Sequence, residues 1–131
     1  LRPFCLLKIQ EISPEKVKDS MPIEKIKDLE AEKILNALKD NSFVIALDER
    51  GKNLSSLELA SFFKNTLEPS GKSEVCFIIG GANGLSEKVL KKADATIALS
   101  KLTFPHQLVR LILTEQIYRA FKINNNQAYH K

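Results

Sequence analysis

Residues 124–131, with the sequence NNNQAYHK, combine side chains that could contact a nucleic-acid base and its phosphate. Amides bond to base edges, an aromatic ring stacks on a base, and a cation binds phosphate. Tyr129, His130 and Lys131 are therefore candidate functional residues. A frayed chain end has a similar polar composition, so the segment alone leaves both interpretations open.

The positive charge of the chain is concentrated in residues 101–131. This segment has one acidic residue, Glu115, and five basic residues: Lys101, Arg110, Arg119, Lys122 and Lys131. Its formal charge therefore equals the +4 of the whole protein. A charge excess gathered in one segment indicates a surface that meets a polyanion.

Glu115 and Arg119 are four residues apart on a predicted helix, with Lys122 on the same face. An ordinary surface ion pair at this spacing contributes only about 0.2–0.5 kcal/mol. An arginine here could instead grip a phosphate or a cofactor carboxylate. His106 lies near the start of the same helix, where it could serve as a structural hydrogen-bond donor or as a functional group.

Two loops that follow apolar strands could hold a ligand. Residues 80–84 (GGANG) follow a strand predicted over 75–79, and glycines there would let a ligand approach the backbone closely. Residues 99–104 (LSKLTF) mix apolar and hydroxyl side chains and could surround an apolar ligand. The first loop contains neither a P-loop nor a G-x-G-x-x-G motif. The simpler alternative for residues 80–84 is a tight turn. For residues 99–104 it is a strand-to-helix connection capped by Thr103.

The apolar spacing predicts four strands alternating with four helices. The strands cover residues 4–9, 43–47, 75–79 and 95–99, and the helices cover about 23–38, 55–67, 86–92 and 105–122. Ser20 and Ser86 are predicted caps, and Ser55 with Glu58 forms a capping box. This order predicts an α/β domain with a mostly parallel sheet, whose ligand site would lie at the carboxyl ends of the strands. The last helix is apolar on most sides, which predicts a partner subunit.

Composition narrows the classes of function. The chain of 131 residues suits one domain, with a pI of about 9.1 that permits RNA binding. No apolar run is long enough to span a bilayer, and no cluster of His, Asp and Glu suggests a metal hydrolase. Cys5 and Cys76 fit no zinc spacing, so two buried thiols are expected.

Five motifs follow one another in the order found in a known family. They are Leu47-Asp48-x-x-Gly51-Lys52, Ile79-Gly80-Gly81-x-x-Gly84-Leu85-Ser86, Leu99-Ser100-x-Leu102-Thr103-x-Pro105-His106-x-Leu108-Val109-Arg110, Glu115-Gln116-x-Tyr118-Arg119-Ala120 and Tyr129-His130. With these motifs the chain resembles the RlmH family of bacterial large-subunit ribosomal RNA methyltransferases, in the SPOUT superfamily. The resemblance is strongest over residues 43–131, and Ala82 stands where the family often has proline.

The resemblance implies a fold and partners. It implies a single SPOUT domain over residues 1–131, with a C-terminal trefoil knot and a cofactor-binding part at about 75–131. It also implies a cytoplasmic homodimer that uses S-adenosyl-L-methionine, with no membrane and no metal. The implied reaction is N3-methylation of pseudouridine 1915 in helix 69 of 23S rRNA, within the 70S ribosome. Family members usually begin with a further strand and helix, which would precede Leu1 and are expected to be missing here.

The resemblance also assigns roles to residues. The cofactor contacts it implies are Leu47, Gly80, Leu99, Ser100, Lys101, Leu102, Thr103 and Phe104. The catalytic residues it implies are His130, Tyr129, Arg119 and Glu115, and the RNA contacts are Arg110, Lys122, Lys131 and His106. We expect His130 to remove the N3 proton or to orient the group that does, and Tyr129 to contact the target base.

Two alternatives stay open at this stage. The chain could be a dimeric ribosome-binding or assembly factor with this fold and no methyl transfer. It could also be a SPOUT methyltransferase that acts on tRNA, although the Tyr129-His130 terminus and the lack of an added RNA-binding domain disfavour this.

Overall fold

A computed structural model describes residues 6–11, 22–38, 40–79, 85–100 and 104–126. The strands are β1 (Leu6–Glu11), β2 (Ser42–Asn53), β3 (Glu74–Ile79) and β4 (Ala95–Ala98). The helices are α1 (Ile23–Ala37), α2 (Ser56–Phe62), α3 (Glu87–Lys92) and α4 (His106–Asn124). A π-helical turn (Phe63–Leu67) and a 3-10 turn (Glu68–Ser70) continue α2. The predicted alternation of strands and helices is confirmed.

The described strands form one parallel sheet in the order β1-β3-β2-β4. β3 lies between β1 and β2, and its Glu74 is in register with Leu6 on one side and Ser42 on the other. All six residues of β3 are buried, as its continuous apolar sequence predicts for a strand covered on both faces. The predicted α/β class with a parallel sheet is therefore confirmed.

Helices cover both faces of the sheet and create two apolar layers. One layer places alternate strand residues such as Ile45, Leu47 and Phe77 against α2 and α4. The other layer places Val44, Ala46, Cys76 and Ile78 against α1 and α3. The alternation arises because successive strand residues point to opposite faces. Cys76 is a buried free thiol, as expected, whereas Cys5 lies outside the described residues.

Side-chain caps determine where two of the helices begin. The Ser55 hydroxyl accepts a hydrogen bond from the Glu58 N–H at 3.1 Å, and the Glu58 carboxylate accepts one from the Ser55 N–H at 2.8 Å. This confirms the capping box. Ser86 also caps α3 as predicted, by accepting a bond from the Val89 N–H. The predicted caps at Ser20 and Thr103 are wrong, because the N-cap of α1 is Pro22 and the N-cap of α4 is Pro105.

β2 departs from the sequence prediction, which ended the strand at Leu47. The strand continues to Asn53, and both Leu47 and Lys52 are in register with Ile97 of β4. Residues 48–51 therefore form a four-residue excursion from the β2–β4 ladder. After this excursion the chain returns to the same edge of β4, which the predicted strand 43–47 did not include.

Gly51 makes this return possible, because its backbone packs directly on β4. A Cβ atom at position 51 would lie 2.7 Å from the Ile97 nitrogen and 2.7 Å from the Thr96 carbonyl carbon. Those neighbours are backbone atoms in a hydrogen-bonded strand, so they cannot rotate away. The excursion therefore depends on the absence of a side chain at this position.

Gly51→Ala is expected to reduce the free energy of unfolding by about 2–3 kcal/mol, because β4 must shift to admit the methyl group. Urea denaturation followed by circular dichroism would measure this loss. Gly71→Ala is the matched control, since Gly71 has a φ of 73° but nothing within 4 Å of the added Cβ. The control should lose stability through backbone strain alone, at about 1 kcal/mol. Equal losses in the two variants would refute the steric explanation.

Candidate functional site

A cavity of about 260 Å³ opens beside the carboxyl ends of β2 and β4, between α2 and α4. Its apolar walls come from the sheet and from both helices. Ser55, Ser56 and Gln116 supply its polar side chains. The complete described lining consists of Leu47, Leu54, Ser55, Ser56, Leu59, Phe77, Ile97, Ala98, Leu99, Ile112, Leu113 and Gln116. A mostly apolar cleft with a few polar groups is typical of a small-molecule site.

The cavity brings together two of the residues that the sequence marked as ligand contacts. Leu47 ends the core part of β2, and Leu99 directly follows β4. Ser100 and Phe104 are half-buried close to this strand end in sequence, but among the described residues they are not part of the lining. Gly80 and residues 101–103 lie outside the described part of the chain.

The predicted Glu115–Arg119 pair is present on α4. Arg119 donates to both carboxylate oxygens of Glu115: Nη2 lies 2.8 Å from Oε2, and Nε lies 3.1 Å from Oε2 and 3.3 Å from Oε1. The Glu115 and Arg119 side chains are 35% and 24% exposed, so the pair is partly shielded from solvent. Such an ion pair holds the guanidinium plane in a fixed orientation.

A polar chain connects this pair to the cavity. The Gln116 amide donates to Glu115 Oε1 at 2.9 Å, and the Gln116 carbonyl oxygen accepts a hydrogen bond from the Ser56 hydroxyl. Ser56 and Gln116 both line the cavity, so hydrogen bonds run from α2 through the cavity wall to Arg119. Neither residue was predicted from the sequence to have a role. The sequence offered one indication for each of them: Gln116 directly follows the candidate Glu115, and Ser56 directly follows the predicted cap Ser55.

Of the other predicted RNA contacts on α4, Arg110 lies on a different face from Arg119. Arg110 is exposed and lies nine residues before Arg119, which places it about half a turn around the helix. Arg110 and Arg119 of one chain therefore do not face the same phosphate. The Lys122 ammonium lies 5.2 Å from the centroid of the Tyr118 ring, a cation–π distance.

The remaining predicted site residues fall outside the described structure. Tyr129, His130 and Lys131 belong to the undescribed C-terminal residues. His106 begins α4, but its side chain is likewise outside the described set.

Comparison with known proteins identifies the family. The family model described as "Predicted SPOUT methyltransferase" matches residues 1–130. The chain belongs to the SPOUT methyltransferases. Proteins named "Ribosomal RNA large subunit methyltransferase H" from Clostridium botulinum (strain Alaska E43 / Type E3) and Clostridioides difficile (strain 630) are each 50% identical to it. Each alignment covers 100% of this chain and 84% of the relative, and the protein of that name from Clostridium acetobutylicum is 47% identical over the same shares. The resemblance to the RlmH family is thereby confirmed.

Two further observations on the described part of this SPOUT chain concern metal-binding groups and membrane-spanning helices. Within residues 6–126, apart from the undescribed gaps, no group of three or more His, Cys, Asp and Glu side chains could hold a metal ion. Of the helices that the structure describes, none combines the length and the apolar character that crossing a membrane requires.

The carboxylate of Asp48, next to Leu47, is held in its charged form. Burial alone would raise its pKa, but hydrogen bonds from the Arg50 side chain and N–H and from the Leu85 N–H outweigh burial and lower the pKa. The unfolded chain therefore binds this proton at a higher pH than the folded chain does. Stability from Asp48 is present above its unfolded pKa of about 3.9 and is lost as pH falls through the folded pKa.

We expect the free energy of unfolding to decrease below about pH 5, and to decrease less steeply in Asp48→Asn. Urea titrations at several pH values between 7 and about 3 would measure the two slopes. Glu49→Gln is the matched control, because it removes the neighbouring exposed carboxylate and leaves the contacts of Asp48 in place. Parallel slopes for wild type and Asp48→Asn would contradict this expectation.

Proposed function

We propose that the protein methylates large-subunit ribosomal RNA with S-adenosylmethionine as the methyl donor. One observation carries the proposal: a cavity of about 260 Å³ at the strand ends, in a chain 50% identical over its whole length to proteins named as ribosomal RNA large subunit methyltransferase H. The proposed target is N3 of a pseudouridine in helix 69 of 23S rRNA on the assembled 70S ribosome.

The lining of the cavity fits this cofactor. Leu47, Leu99 and Ile97 offer apolar walls for an adenine ring and an aliphatic chain, and Ser56 and Gln116 offer hydrogen bonds at the edge. Gly80, Ser100 and residues 101–104 are proposed to complete the site, within a trefoil knot formed by residues from about 75 to 131. When bound, the cofactor supplies an activated methyl group on a sulfonium, so positioning is the main demand on the protein.

The chain supplies the groups that prepare the acceptor nitrogen. His130 is proposed to take the N3 proton, which leaves the nitrogen lone pair available, and Tyr129 is proposed to hold the base by stacking. Glu115 fixes the orientation of Arg119, whose cationic group then binds RNA phosphate. Lys122, Lys131, His106 and Arg110 are proposed to extend the phosphate contacts.

The exposed surface of α4 supports the proposal that the protein is a homodimer. Leu108, Leu111 and Tyr118 are 40%, 65% and 49% exposed and lie on one side of the helix. Large apolar side chains grouped in this way mark a protein interface. A second copy of the chain on this face would also bring the partner's α4 close to the first. Arg110 faces away from the Arg119 of its own chain. We propose that it contacts a phosphate of the RNA bound by the partner chain.

The direct test uses ribosomes that lack the modification. We expect incubation with the protein and methyl-labelled S-adenosylmethionine to place one methyl group on helix 69, detected by mass spectrometry of the nuclease-digested fragment. Free 23S rRNA and total tRNA are the parallel substrates. Methylation of tRNA alone would show that tRNA, rather than ribosomal RNA, is the substrate. Ribosome binding without methyl transfer and without affinity for the cofactor would indicate an assembly factor instead.

A further inference from the structure

One carboxylate oxygen of Glu115 accepts hydrogen bonds from two side chains of α4. Oε1 accepts from the Gln116 amide at 2.9 Å and from Arg119 Nε at 3.3 Å. Oε2 accepts shorter bonds from Arg119, at 3.1 Å from Nε and 2.8 Å from Nη2. The Gln116 amide therefore binds the oxygen that Arg119 binds less closely. A change at this amide changes how completely Glu115 engages the guanidinium.

The orientation of the Gln116 amide is determined at both of its ends. Because an ionised carboxylate accepts hydrogen bonds and donates none, the NH2 group of Gln116 faces Glu115. The amide carbonyl oxygen then faces α2 and accepts the hydroxyl hydrogen of Ser56, the first residue of that helix. Adjacent residues on a helix do not normally face each other, so helical spacing alone does not explain the contact between Gln116 and Glu115. The Ser56 bond holds the amide in the position where it reaches the carboxylate.

Ser56 and Gln116 are also part of the cavity wall, so a ligand there acts on this amide. Both side chains are half-buried. A ligand that fills the cavity excludes water from their hydrogen bonds, and such bonds strengthen when water is excluded. Glu115 and Arg119 are not among the described lining residues, so the ligand acts on the Gln116 bonds first. Filling the cavity therefore strengthens the bond of Gln116 to Glu115 Oε1.

An RNA phosphate competes with Glu115 for the guanidinium of Arg119, because carboxylate and phosphate bind the same fork of N–H groups. A Gln116 amide held on Oε1 weakens the bond of Glu115 to Arg119 Nε and so favours the phosphate. We propose that Ser56 and Gln116 couple the two sites, so that a cofactor in the cavity makes Arg119 bind RNA more tightly. This inference rests on the proposed function, and it makes Ser56 and Gln116 positioning residues for the RNA contact. Coupling is reciprocal, so RNA must tighten cofactor binding by the same factor.

The test measures the Kd of the protein for unmodified 70S ribosomes, with and without saturating S-adenosylhomocysteine, in a sedimentation binding assay. This demethylated form of the cofactor fills the cavity without allowing turnover. We expect ribosome binding to be about 5-fold tighter or more with the ligand, as is usual for coupled sites. Equilibrium dialysis of labelled S-adenosylhomocysteine should show a gain of the same size when ribosomes are added.

Gln116→Leu and Ser56→Ala should each bring the ratio of the two ribosome Kd values to within about 2-fold of one. Each substitution breaks the connection at one side chain and leaves Glu115 and Arg119 in place. Ser61→Ala is the matched control, because it removes the same atom from the same helix. The Ser61 hydroxyl is exposed, accepts a bond from the Asn65 amide at 2.9 Å, and is not part of the described lining. The control should keep the wild-type ratio.

The outcomes separate this inference from the proposed function. A wild-type ratio near one, weaker ribosome binding with the ligand, or variants that keep the wild-type ratio would overturn the inference and leave methyl transfer intact. Variants with lowered melting temperatures and an unchanged ratio would show that Ser56 and Gln116 are merely structural. If Gln116→Leu does not fold, Ser56→Ala decides alone, because it removes a single atom. A wild-type protein that gives no heat with S-adenosylmethionine would overturn the proposed function, and with it this inference.

Discussion

His130→Ala is expected to reduce the single-turnover rate of methyl transfer by about 10²–10⁴-fold, while the Kd for S-adenosylmethionine stays unchanged. The acceptor N3 carries a proton that must leave as the methyl group arrives, and an imidazole titrates in the required pH range. Rapid-quench measurements on unmodified ribosomes would give the rate, and calorimetry would give the affinity.

Two comparisons make the result specific to proton removal. Added imidazole should restore part of the rate of His130→Ala, because it replaces the missing base. His106→Ala should instead raise the ribosome concentration needed for half-maximal rate, since His106 is proposed to contact RNA. A His130→Ala enzyme with the full single-turnover rate and normal cofactor binding would remove His130 from the mechanism.

Leu111→Glu is expected to convert the protein to a monomer at micromolar concentration and to abolish ribosome methylation. Leu111 is the most exposed of the large apolar residues described on α4, at 65%, and a buried unpaired carboxylate in an interface costs several kcal/mol. Analytical ultracentrifugation would measure the oligomeric state, and the labelled ribosome assay would measure activity. The monomer should keep its secondary structure, because position 111 faces away from the core of its own chain.

Thr66→Glu provides the charge-matched control, since Thr66 is exposed in the π-helical turn after α2 rather than on α4. This control should stay dimeric and active. A Leu111→Glu protein that sediments as a dimer would place the interface elsewhere. A monomer with full activity would show that each chain forms a complete site by itself.

Local signals in the sequence predicted most of the fold. The run Val75 to Ile79 is apolar throughout, which predicted a strand covered on both faces, and all of β3 is buried. The capping box at Ser55 and the cap at Ser86 located two helix starts, because those bonds join residues three positions apart. Because such interactions join residues within one short segment, the sequence alone was sufficient to predict them.

Long-range contacts could not be predicted in the same way. The return of β2 at Lys52 depends on how closely Gly51 approaches Ile97, and the bonds of Arg50 to Leu85 join residues 35 positions apart. The Ser56–Gln116 bond depends on how α2 lies against α4. Glu115 and Arg119, by contrast, were predicted as a pair because helical spacing fixes their proximity. The cofactor and RNA roles came from the family resemblance rather than from these patterns.

The order of the strands has a consequence for synthesis of the protein on the ribosome. β1 and β2 each have β3 as a neighbour, and they do not pair with each other in the described sheet. Neither of these ladders to β3 can therefore form until residues 74–79 have emerged from the translating ribosome. Until then, the apolar run at 43–47 remains on the nascent chain with its β3-facing edge unpaired. In that state aggregation competes with folding. Chaperone demand should accordingly peak before β3 emerges and fall once it has inserted between its neighbours.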